Sequence, residues 1–364
     1  MLERRRSCFW RRRRANASPA ATFYLRATRR WRNFPWMSAA AAKLNIWSNA
    51  RFADAAMGQL AEGTRAHTLT FSTLPSKSVL AAGRADPALA GADVAFGQPD
   101  AAQCLATPRL RWVEVTTAGY TRYDTPEFRE NFRARGAAFT NVSQVFAEPC
   151  AEHLLGMMLA LNRQLLASHR DQLADHSWHY VERRYDSRLL AGQTVLMLGF
   201  GAIGRRLAEL LAPFALALIA VRRQTRSERG VRIIPEENVS TALEVADHVV
   251  NILPENASTR NYVNARRLRC CKRGARFYNV GRGTTVDQRA LLEALQAGRL
   301  GAAYLDVFDV EPLPPDDPLW TAPNCFITPH TAGGHHDQDE RIVAHFLKNL
   351  DAFTRGEPLV DRVV

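Results

Sequence analysis

Six consecutive residues constrain this chain more than any others: Gly199-Phe200-Gly201-Ala202-Ile203-Gly204. They follow the apolar run Val195-Leu196-Met197-Leu198 and open a helical run over residues 205–212. A lone GxGxxG is a weak signal, but between a strand and a helix it has a definite physical meaning. Gly199 permits the tight turn, Gly201 lets the backbone approach a pyrophosphate, and Gly204 lets the helix pack close to the strand. The helix start at Ala202 and Ile203 offers free N–H groups and a partial positive charge to phosphates. We read the segment as a dinucleotide loop; the bland alternative is a strand-to-helix turn with no ligand.

The rest of the chain sets this loop in an α/β context. Short apolar runs alternate with helical stretches from about residue 39, the rhythm of a parallel sheet. Strands are expected near 44–47, 67–71, 93–96, 111–115 and 138–140, then a long helix over 148–169. A second series follows: strand 194–198, helix 202–212, strands 216–221 and 231–234, helix 240–246, strand 248–253, helix 259–270, strand 275–280, helix 287–297, and strands 302–307 and 325–328. A terminal helix is expected at 337–354, with Asp337 as N-cap and Gly356 as stop. Residues 170–190 are polar and aromatic, and read as a loop or as an arm reaching a partner subunit.

An NAD site usually places an acid about 20 residues past the glycines, on the ribose 2′-hydroxyl. Here that place reads Val221-Arg222-Arg223-Gln224-Thr225-Arg226, and the first acid downstream is Glu228. An arginine fork grips a 2′-phosphate that an acid would repel. We therefore expect NADP in preference to NAD, with Arg222 and Arg223 on the phosphate. The alternative is that these arginines face solvent.

A second constellation comprises Asn279-Val280-Gly281-Arg282-Gly283, Asp306-Val307-Phe308-Asp309-Val310-Glu311-Pro312-Leu313 and Thr328-Pro329-His330-Thr331-Ala332-Gly333-Gly334. Arg282 and Glu311 are 29 residues apart and Glu311 and His330 are 19 apart, each just past an expected strand. All three can thus meet at the carboxyl edge of one sheet, where α/β sites form. Arg can bind a carboxylate or polarise a carbonyl. His can move a proton near neutral pH, and a neighbouring Glu would orient it and favour its protonated form. Singly, each has an ordinary structural reading; together, downstream of the glycine loop, they read as a catalytic set.

As an ordered set these motifs resemble the D-isomer-specific 2-hydroxyacid dehydrogenases, in the glyoxylate and hydroxypyruvate reductase branch, over about residues 44–355. The resemblance implies that Arg282 holds the substrate's carboxylate and 2-oxo group, that His330 is the acid/base, and that Glu311 partners it. It puts Asp306 close to the nicotinamide. It aligns the stretch from Pro254 to Thr259, and Val280, with the cofactor's path, and Ala118 and Gly119 with the loop whose amides meet the substrate carboxylate. Glu152 matches an acid treated as structural. Arg222 and Arg223 depart from the family's common acid, which fits its NADP-using members. The implied fold is two Rossmann-like, flavodoxin-like domains with parallel sheets. A dinucleotide domain over 146–330 is inserted into a split substrate domain of 37–145 plus 331–364. The implied reaction reduces a small 2-oxo acid to the D-2-hydroxy acid. The same fold also serves dinucleotide-sensing corepressors, and that is the rival reading.

Charge supports the enzyme. The net charge is +12, but residues 1–36 hold eleven Arg against Glu3, so +10 belongs to this leader and +2 to the rest. A nucleic-acid binder would spread its basic residues over a face of the body, so no nucleic-acid partner is expected. The leader reads as a targeting peptide, as an interaction tail, or as upstream sequence before a start at Met37. Apolar residues at 46% and charged residues at 23% fit a globular chain, and no apolar stretch reaches the roughly 18 residues of a spanning helix. Six cysteines without a CxxC pattern indicate neither zinc nor a redox pair, so no metal is expected and the compartment reads as reducing, hence cytoplasmic. The aromatic stretch and the resemblance favour a homodimer.

Overall fold

The structure, a computed structural model, describes residues 43–74, 84–222 and 228–364. The leader and Arg223 lie outside the described residues. Two parallel sheets organise the chain. The first contains β1 (Asn45–Ser48), β2 (Thr68–Phe71), β3 (Val94–Gly97), β4 (Trp112–Val115) and β5 (Ala138–Thr140), in the order β2-β1-β3-β4-β5. The second contains β6 (Thr194–Leu198), β7 (Ala217–Val221), β8 (Arg232–Ile234), β9 (His248–Asn251), β10 (Ala275–Asn279), β11 (Leu300–Leu305) and β12 (Cys325–Ile327), in the order β12-β11-β10-β9-β6-β7-β8. Every strand pairing in both sheets is parallel. Strands buried on both faces require continuous apolar runs, which is why β3, β4, β6 and β9 lie almost wholly in the interior.

Helices cover the sheets. In the first half these are α1 (Asp54–Gly63), α2 (Ala101–Ala106) and α3 (Pro126–Ala134), followed by α4 (Ser143–Asn162) and α5 (Leu165–Ala174), whereas α6 (Tyr180–Asp186) buries none of its residues. In the second half they are α7 (Ala202–Leu211), α8 (Val239–Val245), α9 (Ala265–Cys270), α10 (Gln288–Gln296) and α11 (Gln338–Arg355). The chain crosses between the two cores twice. At the start of α4, Val145 packs into the core of the first sheet and Cys150 into that of the second. On the return, Ala332 belongs to the second core and Ile342 to the first. Helix α11 lays Ile342, Val343, Phe346, Leu350 and Phe353 on the first sheet, with Phe346 stacked on Phe96 and Trp112 at ring separations of 4.1 and 5.2 Å.

Several expectations need correction. The long helix begins at Ser143 and stops at Asn162, because Gln164 adopts a left-handed backbone (φ 57°) before α5. Leu165, which continues the apolar period past the break, is exposed rather than packed in the core. The helix expected over 259–270 is helical only from Ala265, capped by the Asn264 side chain, and Thr259 sits in a turn. Asp337 stands at the N-cap of α11 but makes no capping bond; its carboxylate takes Arg341 at 2.7 Å instead. Gly356 ends that helix in the left-handed region, as expected. Helices α1, α2 and α3 fill the helical stretches expected between the first strands, with Asp100 and Thr125-Pro126 carrying N-terminal signals for α2 and α3, while α6 lies in the stretch 170–190 that read as a loop or an arm.

Candidate active site

The second sheet fixes where a ligand can sit. From β6 the chain moves outward through β7 and β8, then returns to the other side of β6 with β9. The carboxyl ends of β6 and β9 therefore face a crevice, the usual ligand position in such sheets. Gly199, with φ 96°, turns the chain out of β6, and a Cβ there would stand 3.3 Å from the Ile252 carbonyl oxygen just past β9. A Cβ on Gly204 would stand 3.0 Å from Ile252 Cδ1 and 3.1 Å from Phe200 Cδ2, so α7 rests tightly on its neighbours. Beside Gly201 there is open space, where backbone amides can meet a ligand. The glycine loop thus fits a dinucleotide.

A cleft of about 290 Å³ runs along this edge. Of the residues singled out from sequence, Gly199, Gly201, Ala202, Ile203, Gly204, Pro254, Val280, Ala118, Gly119 and Arg282 line it. The first sheet contributes the 117–121 loop, which polar groups at the ends of three strands hold in place. Asn49 and Gln98 exchange hydrogen bonds of 2.8 and 2.7 Å. Gln98 donates to Thr116 and Thr117 at 3.1 and 3.2 Å, and the Asn141 amide donates to the Ala118 carbonyl at 2.8 Å. Gly119 lies so close to Arg282 that a Cβ would collide with Nη2 of the guanidinium. Arg282 is braced in turn by Nη1 donating to the Gly281 carbonyl at 2.7 Å and by Thr285 Oγ1 donating to its own carbonyl at 2.6 Å.

Two strands further along the same edge, His330 Nδ1 and Glu311 Oε2 are 2.7 Å apart. Glu311 Oε1 accepts the Phe308 amide at 2.8 Å, so one oxygen anchors the carboxylate and the other meets the imidazole. His330 has a positive φ of 54°, held by its N–H donating to the Asp306 carbonyl at 2.8 Å. The Asp306 carboxylate is buried beneath this turn. Its Oδ1 accepts Thr328 Oγ1 at 2.5 Å and the amides of Thr331 and Ala332 at 2.8 and 3.1 Å; Oδ2 also accepts Ala332 at 3.1 Å. In this structure Asp306 is the clamp of the histidine turn.

Thr259 and Arg222 stand apart from the cleft wall. Thr259 turns its hydroxyl into its own loop, donating to the Pro254 carbonyl at 2.7 Å. Arg222 lines an adjoining cavity of about 1000 Å³, with its Nη1 3.2 Å from Glu228 Oε1. Sequence reasoning missed Asn49, Gln98, Asn141 and Thr285, which no motif marks, and Arg205, whose only signal was its place in the first turn after the glycines. Among the described residues no group of three His, Cys, Asp or Glu is placed to share a metal ion, and no helix is long and apolar enough to cross a membrane.

Residues 155–332 match the model of the D-isomer specific 2-hydroxyacid dehydrogenase, NAD binding domain. A glyoxylate reductase of Korarchaeum cryptofilum is 33% identical over 260 residues, which covers 69% of this chain and 75% of that protein. A glyoxylate/hydroxypyruvate reductase B of Escherichia fergusonii is 30% identical over 251 residues, 68% of this chain and 76% of the relative. Among solved structures, a D-isomer specific 2-hydroxyacid dehydrogenase of Xanthobacter autotrophicus Py2, in complex with NADPH and MES, superposes with a TM-score of 0.75 at 26% identity, covering 89% of this chain and 98% of that one. With its glycine loop, its arginine and its histidine–carboxylate pair on one sheet edge, this chain belongs to the D-isomer specific 2-hydroxyacid dehydrogenase family.

Proposed function

We propose that the protein is an NAD(P)H-dependent oxidoreductase that reduces a small 2-oxo acid, of the glyoxylate or hydroxypyruvate kind, to the D-2-hydroxy acid. The observation that carries this reading is the 2.7 Å His330–Glu311 pair on the same sheet edge as Arg282 and the glycine loop. When bound, the reduced nicotinamide supplies the hydride that C2 of the oxo acid accepts. Gly199 to Gly204, Pro254 and Val280 would hold the dinucleotide, and Arg222 and Arg223 would favour a 2′-phosphate.

The chain's own groups do the rest. The Arg282 fork takes the substrate carboxylate and the 2-oxo oxygen, polarising C2. The amides of Ala118 and Gly119 take the carboxylate from the opposite side. Glu311 accepts the Nδ1 hydrogen of His330, which fixes the ring's orientation and leaves Nε2 to pass its proton to the carbonyl oxygen as the alcohol forms. Asp306 holds the turn that presents this imidazole. The layout follows from a substrate domain of 37–145 with 331–364 and an inserted dinucleotide domain of 146–330, so that substrate and cofactor meet between them. We take the protein to be cytoplasmic and homodimeric, the exposed Trp178, Tyr180 and Tyr185 supplying an apolar surface for a second copy.

The test is turnover. Purified protein, NADPH and a panel of 2-oxo acids are mixed while the absorbance of the reduced cofactor is followed. Turnover with a small 2-oxo acid supports the reading; tight cofactor binding without turnover of any acid in the panel favours the corepressor-like sensor.

A further inference from the structure

Two guanidiniums from different elements converge on one carboxylate oxygen beside the glycine loop. Arg222 is the first residue past β7, and its amide is held by the Ile234 carbonyl at 3.3 Å. Arg205 lies in the first turn of α7. Glu228 Oε1 stands 3.2 Å from Arg222 Nη1 and 3.7 Å from Arg205 Nε. Both arginines line the cavity of about 1000 Å³, and Ala202 lines this cavity as well as the glycine-loop cleft. Neither arginine is sealed in: the Arg222 and Arg205 side chains keep 25% and 46% of their exposure, so an incoming anion can reach both.

The arrangement is that of an anion clamp holding the chain's own anion. We propose that Arg205 and Arg222 together grip the 2′-phosphate of NADP, and that Glu228 is a built-in competitor which sets how strongly NADP is preferred over NAD. The proposal rests on the dinucleotide-dependent reading above. A phosphomonoester carries about −1.5 to −2 charge at neutral pH and three acceptor oxygens, so it outbids a singly charged carboxylate for two forks. The 2′-hydroxyl of NAD carries no charge and leaves Glu228 on its arginines. With Glu228 present, the clamp offers the phosphate one net positive charge rather than two, and the preference is held below what two free arginines would give.

Calorimetric binding of NADPH, NADH, 2′,5′-ADP and 5′-AMP tests this on the full chain, with no dependence on turnover. Glu228→Gln keeps the shape and removes the charge. It should tighten NADPH and 2′,5′-ADP about tenfold while leaving NADH and 5′-AMP nearly unchanged. Arg205→Ala should weaken the two 2′-phosphorylated ligands by about tenfold or more and spare the others. The gain from Glu228→Gln should shrink in the Arg205→Ala background, because the competitor then blocks only one arginine. Weaker or unchanged NADPH binding by Glu228→Gln overturns the competitor. Equal losses for NADPH and NADH in Arg205→Ala overturn the clamp, since Arg205 would then act through the fold. Both outcomes leave the dehydrogenase reading standing. A wild-type protein that binds neither NADPH nor NADH overturns that reading and the clamp with it.

Discussion

Replacing Asp306 with Asn keeps the shape of the side chain and changes only what it can accept. In the native turn Oδ1 takes three donors, Thr328 Oγ1, Thr331 N and Ala332 N, and Oδ2 accepts Ala332 N at 3.1 Å. The amide retains one oxygen. In its better orientation it keeps the three Oδ1 bonds as neutral ones and points an NH₂ at the Ala332 N–H, donor against donor. Bonds to a charged acceptor contribute about 1.5–3 kcal/mol each and neutral ones about 0.5–1.5, so the three weakened bonds alone cost on the order of 3 kcal/mol. That energy holds the strained backbone of His330 in place. An imidazole displaced by about 1 Å loses on the order of 100-fold in rate. Asp306→Asn should therefore lower kcat by about two orders of magnitude while the NADPH dissociation constant stays within a few-fold of wild type. Steady-state kinetics and calorimetric titration of NADPH on the same preparation measure both. A variant with a lowered Tm but native kcat would show that Asp306 braces the fold and does not position His330. A loss confined to NADPH affinity would move Asp306 to the cofactor.

Gly119→Ala places a methyl against Arg282 Nη2. The guanidinium end must give way, and kcat/KM for the oxo acid should fall at least tenfold at unchanged NADPH affinity; a native KM would show that Arg282 does not need its present pose. His330→Ala should reduce the rate of oxo-acid reduction by roughly 10²–10⁴-fold, the usual worth of a positioned acid/base, with the cofactor still bound; near-native turnover would remove His330 from the chemistry. Arg282→Lys keeps the charge and loses the bidentate fork, so KM should rise steeply, and a lysine that works equally well would refute the fork. The last prediction concerns pH and stability. Burial disfavours the His345 imidazolium, but Asp361 and Glu114 outweigh this and lift its pKa to about 9. A pKa raised in the folded state stabilises fully below the unfolded value of about 6.5 and is lost as pH climbs through 9, a change of about 3 kcal/mol. Denaturant midpoints should fall between pH 6.5 and 9.5 in the wild type and much less in His345→Gln; parallel curves would show that His345 is not the titrating group.

How far the sequence could be read depended on how local each signal was. The glycine loop needs only a strand before it and a helix after it, and both are adjacent in the chain. Arg282, Glu311 and His330 were legible for a similar reason: each follows a strand, and strands of one parallel sheet end on one edge. The supports of the 117–121 loop were not legible. Asn49, Gln98 and Asn141 are scattered polar residues whose bonds to one another or to the 116–118 stretch exist only once β1, β3, β4 and β5 lie in register. The end of α4 was hidden for a different reason. Its apolar period runs unbroken to Leu165, and only the left-handed backbone at Gln164, which periodicity does not report, ends the helix. Glu228 is the first acid past the arginines in the sequence, but its position between Arg205 and Arg222 depends on α7, β7 and β8 coming together.

The two halves of the site are braced by separate sets of hydrogen bonds, and this bears on how the protein can act. On one side, Ala118 and Gly119 are tied to the ends of the first sheet through Gln98 and Asn141. On the other, Arg282 is tied to the second sheet through the Gly281 carbonyl and Thr285. Neither can adjust locally to a substrate without breaking these bonds. The spacing between the Gly119 amide and the Arg282 fork is therefore set by how the first sheet sits against the second, with Thr121 Oγ1 reaching the Glu255 carbonyl at 3.3 Å across the same gap. On the function proposed above, a small carboxylate gripped by both sides would bridge them, and its binding energy would go into holding the cleft shut and water out while the proton moves. If the proposed roles of Gly119 and Arg282 hold, a longer or bulkier acid should be turned over less well than glyoxylate, and equal kcat/KM across a series of 2-oxo acids of increasing size would refute selection by the spacing of the two sides.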